Sequence, residues 1–66
     1  MKARERIEDY LRNNVRPKAI HEIVLVGISQ VSVSSRLREM TRDGVAACRR
    51  RDGTAYKEWW LTEAAR

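Results

Sequence analysis

A chain of 66 residues holds one domain, residues 1–66, with a single modest core, since folding at this size buries only about 60% of the unfolded surface. Hydrophobic residues at 42% exclude a disordered chain despite 35% charged residues, and a single cysteine excludes an internal disulfide. Fourteen Lys/Arg against nine Asp/Glu give a net charge of +5 and a pI of about 10.1, which points to a polyanionic partner, while no apolar run approaches the roughly 20 residues of a membrane span.

Residues 3–13 are predicted as a first helix, with Ile7, Tyr10 and Leu11 on one face and Glu5 and Asp9 alternating with Arg4, Arg6 and Arg12 on the other. Asn13-Asn14 is the expected stop, because Asn tolerates the left-handed conformation common at helix ends. Pro17 suits the first position of a second helix over residues 17–25, with Ala19, Ile20, Ile23 and Val24 as its apolar set. The β-branched run Ile23-Val24-Leu25-Val26 could also be a strand, but Gly27 and the short distance to the next element favour a helix. Ser29 then reads as the N-cap of a third helix, residues 30–42, whose stripe Val33, Leu37 and Met40 faces a core. Its opposite face carries Val31, Ser35, Arg38 and Arg42, with Ser34 beside it, and Asp43-Gly44 closes it.

After Gly44 the pattern changes to two strand-like runs around Arg51-Asp52-Gly53-Thr54. Asp-Gly between such runs predicts a two-residue type I′ hairpin, with Arg49 opposite Tyr56, Ala46 opposite Trp59 and Val45 opposite Trp60. Alternation sends Trp59 and Trp60 to opposite faces, and the direction of Leu61 decides which of them enters the core. Residues 62–66 look like a capped helix start.

Three helices and a hairpin, with Gly27-Ile28-Ser29-Gln30 leading into the third helix, resemble the winged helix-turn-helix family of DNA-binding domains. Ser32-Val33-Ser34, Leu37-Arg38-Glu39-Met40, Asp43-Gly44-Val45 and Arg49-Arg50-Arg51-Asp52-Gly53 carry the likeness, and Leu61-Thr62-Glu63-Ala64 is similar to the end of the wing in MarR-like regulators. The resemblance implies an α+β fold, a three-helix winged helix-turn-helix with a C-terminal β-hairpin wing over residues 49–57. It also implies binding of double-stranded DNA, with helix 30–42 in the major groove and the wing on the flanking backbone or minor groove. There are two departures from the usual pattern: Glu22 and Ile23 stand where an aliphatic residue and a small Ala precede the turn, or else the second helix is one residue shorter than usual, and Ser34-Ser35 replaces a mid-helix Ser-Arg pair, with the arginine delayed to Arg36.

Physical chemistry assigns roles beside the resemblance. Gln30 can make two hydrogen bonds to adenine, Val31 can touch a thymine methyl, and Ser32, Ser34 and Ser35 are short enough to let the helix approach bases and phosphates. Arg38 and Arg42 are suited to backbone phosphate, and Arg36 either joins them or pairs with an acidic neighbour. On the hairpin, Arg49 and Arg51 share one face and Arg50 takes the other, with Thr54 and Lys57 as helpers in reaching the minor groove or flanking phosphates.

His21 and Cys48 are the only residues of their kinds, and three scattered glycines form no phosphate loop, so no enzyme, metal, cofactor or small-molecule ligand is expected. The expected partner is double-stranded DNA, bound by a homodimer or a cooperative assembly. The job is transcription regulation or a phage- or plasmid-type role in recombination or replication, in a cytoplasmic setting. The rival is a winged-helix protein–protein interaction module that uses the Trp-bearing hairpin face.

Overall fold

The computed structural model describes residues 2–65. Among them are two α-helices and a three-stranded antiparallel sheet, an α+β arrangement. Helix α1 (Ala3–Asn13) buries Ile7 and Leu11, one turn apart, and packs on helix α2 (Gln30–Arg42) through the latter's Val33, Leu37 and Met40. Both ends of α2 are closed by local hydrogen bonds. The Ser29 side chain accepts from the Ser32 amide at 3.2 Å. At the other end Val45 N donates to Met40 O (2.8 Å) and Gly44 N to Thr41 O (3.2 Å), a Schellman motif in which Gly44 takes φ +79°. Asn14 also ends its helix, but in an extended conformation and not the expected left-handed one, with its side-chain amide donating to Tyr10 O at 2.7 Å.

The expected second α-helix over residues 17–25 is not formed, so a three-helix arrangement is corrected to two. In its place are a short strand β1 (Lys18–Ala19), a single 3₁₀ turn (Ile20–Glu22) and an extended run into a tight turn. The physical reason lies in three side chains and a pattern. The Glu22 carboxylate folds back to accept from Ala19 N at 2.8 Å, which satisfies the turn's first amide. Beyond it Ile23 is buried, Val24 exposed, Leu25 packed on the core and Val26 exposed, a period of two that a helix cannot satisfy. Ile28 N then donates to Leu25 O (3.1 Å) with Gly27 at φ +81°, which turns the chain directly into Ser29 and α2. Side chains of α1 hold this segment down: Arg6 donates to Val26 O (2.7 Å) and Tyr10 to Glu22 O (3.0 Å).

Strands β2 (Ala46–Arg50) and β3 (Lys57–Leu61) form the hairpin, and β1 pairs on the other side of β3, giving the order β1-β3-β2. The register differs from the expected one by two residues. Ala46 faces Leu61, Cys48 faces Trp59, Arg49 faces Glu58 and Arg50 faces Lys57. The connection is longer than a type I′ loop because only Gly53 takes positive φ (+75°); Asp52 does not. Thr54 N therefore donates to Arg51 O (3.1 Å), the sign pattern of a type II turn, and Arg51 N donates to Tyr56 O (2.8 Å) to close a wider loop. Trp59 and Leu61 enter the core with Ala46, and Trp60 is half-buried on the other face beneath Arg49, whose guanidinium carbon lies 5.6 Å from the ring centroid. The last element is a 3₁₀ turn, Glu63–Ala65; Arg66, included in the expected helix start, lies outside the described residues. No helix of residues 2–65 is long and apolar enough to cross a membrane.

Candidate nucleic-acid interface

One side of α2 and the helix-facing side of the hairpin diverge to leave an open groove of about 680 Å³. Gln30, Ser34, Arg38 and Thr41 line it from α2, at the helical spacing that puts residues on one face. Cys48, Tyr56, Lys57 and Trp59 line it from the hairpin, and Ala19, Ile20 and His21 close the end nearest the 3₁₀ turn. No carboxylate is among the lining residues, whereas Arg38 and Lys57 are. Val31 stands 80% exposed on the first turn of α2, and Ser35, Arg38 and Arg42 are exposed further along, as the helical period predicts.

The three consecutive arginines divide sharply. Arg49 and Arg51 lie on the sheet face away from α2 and converge on Glu58, with Nε–O distances of 2.9 and 3.0 Å. Arg51 reaches further, placing Nη2 2.7 Å from Glu22 Oε1, so a chain of ion pairs joins the hairpin to the 3₁₀ turn. The Arg51 guanidinium, aided by the Ala19 amide, holds the Glu22 carboxyl down to about 2, and Arg49 followed by Arg51 lowers that of Glu58. Arg50 is opposite: it shares the helix-facing side with Cys48, is exposed beyond the core, and stands directly across from Lys57. Neither has a carboxylate partner among the described residues. Like charges directly opposite one another destabilise a strand pair, and a bound anion would relieve that repulsion.

Comparisons with family models, with curated proteins and with solved structures find no match. The site therefore rests on its own geometry.

That geometry sorts the residues singled out from sequence. Gln30 and Ser34 open on the groove, with Arg38 behind them and Lys57 across it. Arg50 joins Lys57 through the strand pairing. Val31, Ser35 and Arg42 occupy the neighbouring exposed strip of α2, Arg42 only 4.0 Å from Asp43 but 77% exposed. Others are already engaged. Ser32 contributes its amide to the cap and accepts a hydrogen bond from the Ser29 hydroxyl (3.2 Å), and Arg36 pairs with Glu39 at 2.8 Å. Thr54 donates to Arg51 O (3.0 Å) and accepts from Tyr56 N (3.2 Å), so it shapes the loop. Sequence reasoning missed His21 and Tyr56, whose rings meet at 5.0 Å beside the groove, and missed Glu22 as the anchor of Arg51. The first two became visible only with the longer hairpin loop, and the third only once residues 20–22 left the helical path.

Proposed function

We propose that this chain is a small winged helix-turn-helix domain that binds double-stranded DNA, with α2 as the recognition helix in the major groove and the β2–β3 hairpin as the wing. The observation that carries the reading is the carboxylate-free surface between α2 and the hairpin, bordered by Arg38, Arg50 and Lys57, which pair with no carboxylate among the described residues. Short side chains at the start of α2 permit close approach to base edges, and the free amides of its first turn favour phosphate. In this reading Gln30, Val31, Ser34 and Ser35 read the groove, while Arg38, Arg42, Arg50 and Lys57 hold the backbone. Arg49 and Arg51 brace the wing, and Arg36 and Ser32 brace the helix. A single module of this size covers about 600–1,000 Å² on DNA, so site-specific binding calls for a homodimer or neighbouring copies. Such a domain serves as a transcription regulator or as an accessory in recombination or replication.

Fluorescence anisotropy with a labelled mixed-sequence duplex tests the reading directly. Binding at low salt that weakens steeply as salt rises is expected, and absence of binding, or a flat salt response, overturns it. Selection of bound sites from random duplexes then gives the motif, and a palindrome reports a dimer. Ser34→Ala and Gln30→Ala should change the selected motif. The second reading, a protein-binding module using the Trp-bearing hairpin face, draws on Arg49 and Arg51 being spent on carboxylates. It ranks second because Trp60, the large apolar residue of that face, is half-buried under Arg49.

A further inference from the structure

Tyr56 is the one large aromatic residue of the described chain that stays mostly exposed, at 58%. Its backbone serves the hairpin loop, the carbonyl accepting from Arg51 N and the amide donating to the Thr54 hydroxyl, while its ring lies against His21, with centroids 5.0 Å apart and a 58° tilt. Both rings border the groove beneath α2. The groove is larger than a phosphate requires; its volume of about 680 Å³ falls within the roughly 300–1,000 Å³ of sites that hold small organic ligands. Its floor is apolar, from Ile20, Cys48 and Trp59, and its cations are Arg38 and Lys57. An aromatic ring beside an apolar floor, with positive charge and no carboxylate, matches a planar base that carries a phosphate.

We propose that this groove receives one unpaired nucleotide, its base stacked on Tyr56 and its phosphate held by Arg38 and Lys57, so that the preferred DNA is a duplex carrying an extrahelical nucleotide. This rests on the DNA-binding reading above and narrows its substrate. In an intact duplex every internal base already has neighbours on both π faces, so Tyr56 has nothing to stack on. An extrahelical base presents a free face, and its unstacking has already been done. Stacking one base on an aromatic side chain strengthens binding about tenfold or more.

The test compares two labelled duplexes of the same sequence, one fully paired and one with a single extrahelical 2-aminopurine. The bulged duplex should bind about tenfold more tightly, and 2-aminopurine fluorescence should fall on binding as the base stacks. Tyr56→Ala should remove both effects and leave the paired-duplex affinity in place, with an unchanged circular dichroism spectrum, while Tyr56→Phe should keep both. Equal affinity for the two duplexes without quenching overturns the inference and leaves the DNA-binding reading standing. A preference that survives Tyr56→Ala overturns the assignment to this groove. Failure of both duplexes to bind at low salt overturns the DNA-binding reading itself and this inference with it.

Discussion

Replacing Arg50 should flatten the salt dependence of DNA binding, whereas replacing Arg49, its neighbour, should not. The difference follows from pairing across the hairpin. Arg50 faces Lys57 and has no carboxylate partner among the described residues, while Arg49 lies 2.9 Å from Glu58 and is already neutralised. If Arg38, Arg42, Arg50 and Lys57 each release one condensed counterion's worth of charge, the slope of log K against log salt is about −3.6, so affinity falls about 150-fold between 50 and 200 mM salt. Arg50→Ala leaves three contacts, a slope of about −2.7 and a loss of about 40-fold over the same range. Arg49→Ala leaves Glu58 paired to Arg51 and the slope unchanged. Anisotropy titrations of both variants at three salt concentrations measure this. The Arg50 variant should also melt no lower than the parent, because it removes a like-charge opposition. Equal slopes for the two variants would refute the separation of the arginines into bracing and binding groups.

Three further outcomes probe the scaffold. Leu37→Ala opens a cavity at the centre of the core, where Leu37 is fully buried, and should cost about 2–5 kcal/mol in urea denaturation followed by circular dichroism. Gly27→Ala meets no atom within 4 Å, so its cost is conformational alone, about 1–2 kcal/mol for a left-handed residue; a neutral result would mean the turn is not held at positive φ. Glu22 has its carboxyl held down to about 2 from an ordinary 4.5, so the unfolded chain binds its proton first as pH falls. Its stabilising share is whole above the unfolded value and is lost as pH drops towards the folded one. Melting temperatures between pH 6 and pH 2.5 should therefore fall less steeply for Glu22→Gln than for the parent.

Both α-helices were legible because their evidence is local. The stripe Val33, Leu37 and Met40, the Ser29 cap and the Gly44 stop each depend on residues within two turns, and all three are found. The exposed strip Val31, Ser35, Arg38 and Arg42 follows from the same period. The segment 17–25 misled because its decisive partners are distant: Lys18 and Ala19 pair with Trp59 and Glu58, and Glu22 is claimed by Arg51. Its alternating burial was present in Ile23-Val24-Leu25-Val26, but Pro17 and Gly27 fit either reading. The hairpin was recognised and misregistered for a smaller reason, since Asp52 keeps negative φ and the loop extends to Tyr56. Alternation alone set Arg50 apart from Arg49 and Arg51; the shift supplies the partner, placing Glu58 opposite Arg49 where the expected register had Tyr56.

The order of the sheet sets a schedule for synthesis. Strand β3 is central in space yet the last of the three in sequence, and β1, which leaves the ribosome well before it, pairs with no other strand among the described residues. A ribosome releasing this chain exposes the greasy faces of α1 and α2 before Trp59 and Leu61 arrive to cover them. Closure of the core waits for β3, and both strand pairings of the sheet form only once it is present. A nascent chain stalled before β3 is thus a natural client for chaperones, and protection of the amides should appear as a single event once that strand clears the exit tunnel.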